Sequence, residues 1–114
     1  MKRIEALVQT DKTSLVVDEI KKAGVKGFTV FSGKGQGKGE RPMVESSRGT
    51  RRHVAEYNEV DSIVTVVDES KADAVITAIV NAAGTGSKGD GKIFVSTVDD
   101  VIDIGSQQKG SMAL

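Results

Sequence analysis

Cysteine is absent from the 114 residues, which excludes disulfides, thiolate metal ligands and a cysteine nucleophile. Histidine occurs once, at His53, so no second imidazole can complete a transition-metal site. A lone histidine in a polar stretch reads as a solvated side chain rather than a ligand, and no metal is expected. Net charge is absent too: sixteen basic and sixteen acidic side chains cancel, so no global field draws the chain to nucleic acid or to a membrane. Aromatic residues make up 4% of the chain, and Tyr57 alone lies near the basic stretch, which leaves little surface for base stacking. No apolar run approaches membrane-spanning length. Met1-Lys2-Arg3-Ile4-Glu5 lacks the apolar core of a signal peptide, so the cytoplasm is the expected compartment. Asp99 and Asp100 are adjacent and would face opposite ways on a strand. Ser46 and Ser47 have only His53 as a nearby base. Neither pattern supports catalysis, and no enzyme is expected.

Glycine, by contrast, is plentiful and concentrated. Gly84-Thr85-Gly86-Ser87-Lys88-Gly89-Asp90-Gly91-Lys92 holds four glycines in nine residues. It lies between an apolar helical pattern and a short strand-like run, Ile93-Phe94-Val95. Such a link can be a simple turn with a glycine cap. Successive backbone N–H groups in a glycine turn also form concavities that hold anions, and Lys88 and Lys92 add charge beside this one. A second run, Gly33-Lys34-Gly35-Gln36-Gly37-Lys38-Gly39, brings the two to eight of the thirteen glycines. Neither run is a Walker sequence or a dinucleotide fingerprint. The first reads as a phosphate-binding loop.

One domain is expected at this length. Ile4 to Val8 reads as a strand. Thr10-Asp11-Lys12-Thr13 offers capping oxygens to a helix from Ser14 to Ala23, whose apolar positions are Leu15, Val16, Ile20 and Ala23. Gly24 ends it. Phe28 to Phe31 is a second strand. A polar excursion from Lys34 to Ala55 carries the sole proline, Pro42, and six basic residues against two acidic, about four net positive charges. Long loops of this kind are usually functional or mobile. Val60 to Val67 is a nearly continuous apolar strand, which suggests that both its faces are covered. Ser70 and Asp73 resemble a capping box before a second helix with Ala72, Val75, Ile76, Ile79, Val80 and Ala83 along one stripe. Lys92 to Thr97 is a fourth strand. Val101 to Ile104 suggests a short further one, and Gly105 to Leu114 a flexible tail. The order β-α-β-loop-β-α-β is the split, ferredoxin-like α+β arrangement. It leaves one sheet face without helices, which on a small chain calls for self-association.

Thr85-Gly86-Ser87-Lys88-Gly89-Asp90-Gly91-Lys92-Ile93-Phe94-Val95 resembles the nucleotide-binding loop of the PII signal-transduction proteins, whose form is TGxxGDGKIF. Met1 to Ala6 resembles their first strand, and Gly24-Val25-Lys26-Gly27-Phe28-Thr29-Val30 their G-[IV]-x-G-[ML]-T-V segment. Ser47-Arg48-Gly49 is similar to the Y-R-G of their long loop, with serine for tyrosine. The resemblance spans nearly the whole chain. It implies a cytoplasmic homotrimer of ferredoxin-like subunits that binds ATP, ADP or AMP in clefts between subunits. It also implies a long loop that controls a transporter or enzyme, in nitrogen metabolism by analogy. Under it, Gly89, Asp90, Gly91 and Lys92 hold phosphates. Gly35, Gln36, Gly37 and Lys38 line the cleft from the long-loop base. Thr29 of a neighbouring subunit faces the adenine, Leu7 and the strand around Thr65 form the base pocket, and Arg41, Arg48, Arg51 and Arg52 belong to the partner-binding loop.

The departures from the pattern also carry information. Where the family has glutamine and phenylalanine at the loop base, this chain has Gly39 and Gln36. A lysine that pairs with the carboxylate of 2-oxoglutarate falls near Glu59, so binding of that acid is expected to be weak or absent. The tyrosine that is often modified falls near Arg52, so that modification is not expected. Two phosphate-binding arginines align with Asp103 and Gly105, which removes charge-assisted bonds and favours a ligand with fewer charges than ATP. The alternative reading is therefore a sensor of a cyclic nucleotide or of a small anion such as bicarbonate, tied to transport or carbon metabolism. The sequence leaves the preferred nucleotide and the identity of the target open.

Overall fold

Strand β1 (Lys2–Gln9) alternates strictly, with Ile4, Ala6 and Val8 buried and Glu5, Leu7 and Gln9 half-exposed between them. This is the period-two pattern of a sheet with one covered face. The computed structural model describes residues 1–37, 43–45, 52–54 and 57–114, the two short middle segments by their backbone course alone. Helix α1 (Thr13–Lys22) follows β1 through a 3-10 turn, then come β2 (Thr29–Gly35), β3 (Met43–Glu45), β4 (Arg52–Val54) and β5 (Asn58–Val67). Helix α2 (Glu69–Ala83), β6 (Gly91–Thr97) and a terminal 3-10 turn complete the chain. The main sheet has the order β2-β5-β1-β6, with every neighbour antiparallel. That is the expected ferredoxin-like α+β topology.

Both helices pack on one face. Val16 and Ile20 of α1 and Ala72, Val75, Ile79 and Ala83 of α2 meet Ile4, Ala6, Val8, Ile63 and Val67 in a single core. The spacing of 3, 4 and 4 on α2 gives a narrow stripe. Leu15 and Val80, each one helical step off it, are 47% and 53% exposed, not core as their spacing suggested. On β5 only alternate residues are buried. Val64 and Val66 are half-exposed on the far face, so within this chain β5 is covered on one side rather than two. The apolar run reflects a surface left bare.

Several local expectations shift for identifiable reasons. Thr10 and Thr13 cap nothing. Thr10 lies in the 3-10 turn, and both hydroxyls donate to the buried Asp61, at 3.4 and 2.6 Å. Ser70 is not the cap of α2. Asp68 is, accepting the Ser70 amide at 3.4 Å and its hydroxyl at 2.6 Å. Gly24 does end α1, at φ +98°, with bonds from the Gly24 and Val25 amides back to Lys21 and Ile20. Between β2 and β5 the excursion contains a two-stranded antiparallel sheet, Met43↔Val54 to Glu45↔Arg52. Past β6, Ile102 makes a single antiparallel bridge to Lys109 rather than a strand. The tail expected to be flexible follows a hydrogen-bonded course, with the Gly110 amide on the Val101 carbonyl and a 3-10 turn over Gly110–Ala113.

Candidate functional site

The glycine loop is built by its own side chains. Helix α2 ends at Gly84, whose amide returns to Val80 O at 2.8 Å. A Cβ there would lie 2.6 Å from that same oxygen, so only glycine can make the turn. Gly86 is at φ +83°, where glycine pays no steric penalty. The Asp90 carboxylate then folds back into the loop. It accepts the Thr85 amide at 2.6 Å, the Thr85 hydroxyl at 2.5 Å and the Ser87 amide at 3.1 Å. These bonds, the Thr85 hydroxyl foremost, hold its carboxyl below the usual value of 3.8. Gly91 brings β6 against β1 so closely that a Cβ would sit 2.1 Å from Leu7 O.

The sheet then positions the flanking groups. Leu7 is paired with Lys92 on one side and Ser62 on the other, so all three project on the helix-free face. Lys92 is exposed there, beside the loop. Gly35 ends β2 opposite Asn58, at the same end of the sheet as the Val8↔Gly91 pair. Gly35, Gln36 and Gly37 therefore share that end with Gly89, Asp90, Gly91 and Lys92. Three strand spacings, roughly 14 Å, separate their edges. Asp90 is tied into the turn twice over: its side chain holds Thr85 and Ser87, and its own amide donates to Ser87 O at 3.3 Å.

Other expected residues fall elsewhere. Thr65 lies on the helix side of β5, 5% exposed, and its hydroxyl donates to Gly27 O at 2.7 Å. Leu7 is on the opposite face, which Val60, Ser62, Val64 and Val66 of β5 share. Thr29 opens β2, on the edge strand farthest from β6, opposite Val64. Lys38, Arg41, Arg48 and Arg51 lie outside the described residues, and Arg52 is described only by its backbone place in β4. Asp103 makes a turn of its own, accepting the Ser106 amide at 2.8 Å and hydroxyl at 2.7 Å. Among the described residues no cluster of acidic, histidine or cysteine side chains is arranged for a metal ion, and no helix is long and apolar enough to cross a membrane.

Two features lay beyond sequence reasoning. Gln9 donates from Nε2 to Gly89 O at 3.0 Å, a bond across 80 residues that only the β1–β6 register explains. A cavity of about 270 Å³ opens at the other end of the sheet, among Lys26, Gly27, Val66, Lys71 and Leu114. It lies about 20 Å down β1 from the glycine loop, given ~3.3 Å per strand residue.

Comparison with known proteins agrees with this architecture. A family model described as nitrogen regulatory protein P-II matches residues 1–108. Nitrogen regulatory protein P-II of Rhizobium meliloti is 39% identical over 114 residues, covering all of both chains. That of Synechocystis is 37% identical, again over the whole of both. Nitrogen regulatory protein P-II 2 of Methanothermobacter thermautotrophicus is 36% identical over all of this chain and 97% of its own length.

Proposed function

The chain belongs to the nitrogen regulatory protein P-II family, whose members are signalling regulators rather than enzymes, and from that premise we propose that it is an adenine-nucleotide sensor. A nucleotide (ADP, ATP or AMP) sits at a cleft between subunits of a homotrimer, with its phosphates on the main chain of Gly89 to Gly91 and on Lys92. The base of the long loop, Gly35 to Lys38, shares that cleft. Binding favours one arrangement of the loop over another, a shift set by differential affinity for the two. In the cytoplasm, a transporter or enzyme of nitrogen metabolism then docks or leaves.

One observation carries this reading: the carboxylate of Asp90 satisfies itself inside the loop. An unpaired carboxylate would repel a phosphate, whereas one held by its own amides shapes the turn beside the Lys92 ammonium. Calorimetry with ATP, ADP and AMP tests it. Lys92→Ala is expected to lower the affinity for the preferred nucleotide at least tenfold, the scale of one charge-assisted bond. Unchanged affinity would overturn the assignment.

Position 103 favours a second reading. The resemblance places a phosphate-binding arginine there, and the chain has an aspartate engaged in a turn with Ser106. A ligand with fewer charges, such as a cyclic nucleotide or bicarbonate, suits that edge better than a triphosphate. A melting screen with ATP, ADP, AMP, cyclic AMP, bicarbonate and 2-oxoglutarate separates the two, because the first reading requires the largest shift from a linear adenine nucleotide.

A further inference from the structure

The β1–β6 ladder ends at Val8↔Gly91. Gln9 is therefore the first residue of β1 past the end of β6, and its side chain meets the glycine loop where the strand would have continued. Its Nε2 donates to Gly89 O at 3.0 Å. Only the NH₂ half of a carboxamide can bond a carbonyl, which fixes the orientation of the group. The same peptide unit is held at its other side, where the Asp90 amide donates to Ser87 O at 3.3 Å. In a planar trans peptide the C=O and N–H point opposite ways, so the 89–90 unit is pinned at both ends.

That pinning matters because a glycine leaves its ψ, the torsion that turns the 89–90 peptide, little restricted. If that peptide turned over, the Asp90 amide would leave Ser87 O and the Gly89 carbonyl oxygen would swing into the loop, where it would repel an anion. Asp90 braces the turn from inside, through Thr85 and Ser87. Gln9 braces it from the sheet, and it is the brace that ties the loop to β1 and so to Leu7 on the same strand. We infer that Gln9 is a positioning residue for the nucleotide loop: it holds the Gly89 carbonyl back against β1 so that this oxygen stays turned away from the ligand. This rests on the nucleotide reading above, and it goes beyond that reading in assigning a role to a side chain that needs no contact with the ligand.

The test uses Gln9→Leu, which keeps the bulk and removes the donor, and Gln9→Lys, which restores one. In the nucleotide-free full-length protein, the carbonyl ¹³C signal of Gly89 is expected to move upfield in Gln9→Leu and to return toward wild type in Gln9→Lys. The affinity for ADP is expected to fall about tenfold in Gln9→Leu and to recover in Gln9→Lys, with little change in melting temperature for either. An unmoved Gly89 signal overturns the clamp. A moved signal with unchanged ADP affinity overturns its part in binding. If the wild-type protein binds no adenine nucleotide, the nucleotide reading fails and the binding role with it, while the Gly89 signal still decides whether Gln9 holds the loop.

Discussion

Asp90 grips Thr85 twice, at the amide through Oδ2 at 2.6 Å and at the hydroxyl through Oδ1 at 2.5 Å. A side chain five residues on thus closes the loop that its own backbone ends. Asp90→Ala removes both bonds and the one to Ser87, so the loop samples conformations that misplace its amides. Affinity for the preferred nucleotide is expected to fall about tenfold or more, with little change in the melting temperature because the loop is exposed. Calorimetry against a thermal melt checks the split.

Acid should loosen the same loop. The carboxyl of Asp90 is held below 3.8 by Thr85 first and then by Ser87 and Gly86. A folded-state value below the unfolded one means the bonds are fully present above about 3.8 and are lost as pH falls through the lower folded value. The amide resonances of Thr85 and Ser87 should therefore shift together, below the ordinary carboxylate range. A transition centred at or above the usual 3.8 would contradict the bonding described.

Gly91 has no tolerated substitute. Its φ of +123° and a Cβ position 2.1 Å from Leu7 O combine backbone strain with a clash against main chain that cannot move without breaking the β1–β6 ladder. Gly91→Ala is expected to cost about 2–4 kcal/mol, read from urea unfolding. Gly86→Ala is the control. It shares the positive φ but would meet nothing within 4 Å, so about 1–2 kcal/mol is expected. Equal losses would show that the close approach to β1 is not what requires glycine at 91.

Thr13 carries a similar load in the core. Its hydroxyl donates to Asp61 Oδ2 at 2.6 Å, and Asp61 is only 4% exposed. Thr13→Val keeps the shape and leaves a buried carboxylate short of its best donor, at a cost of about 1–3 kcal/mol. Hydrogen bonds from Thr13, then Ser32 and Thr10, lower the Asp61 carboxyl below 3.8. Its contribution is present above that value and fades as pH drops through the lower folded one. Thr13→Val should therefore flatten the acid limb of a stability-against-pH curve measured by denaturant unfolding.

The residues whose roles were legible in the sequence are those whose signal is local. Gly24 announces a helix end by conformation, β1 by alternation, and the turn between α2 and β6 by its glycine composition. What stayed hidden depends on register. Nothing in the sequence says that Thr10 and Thr13 serve Asp61 rather than a helix cap, because the partner lies on β5, 51 and 48 residues away. Thr65 looks like a cleft residue until β5 is paired with β1, which turns it toward the helices. Gln9 is invisible for the same reason. The Val60 to Val67 run misleads in the other direction, since a face left bare in the single chain has the composition of a core.

That face supplies the remaining prediction. Phe31 on β2 and Phe94 on β6 are 61% and 50% exposed. They stand on the two edge strands of the same face, opposite Ser62 and Glu5 respectively. Large aromatic side chains at both rims, with Leu7, Val64 and Val66 between them, form a surface that water disfavours. Burying each phenylalanine contributes about 1.5–3 kcal/mol, repeated in every protomer of a closed ring. The Arg3–Glu5–Ser62 cluster, with Ser62 donating to Glu5 at 2.6 Å and Arg3 at 3.2 Å, places a polar mark within it. Phe94→Asp puts a charge at one rim without touching the helix-side core. It is expected to convert the proposed trimer to single subunits in velocity sedimentation, and to abolish nucleotide binding at the same time because each proposed cleft spans two chains. A trimer that persists would place the subunit contact elsewhere, and monomers that still bind ADP tightly would show that one chain holds the whole site.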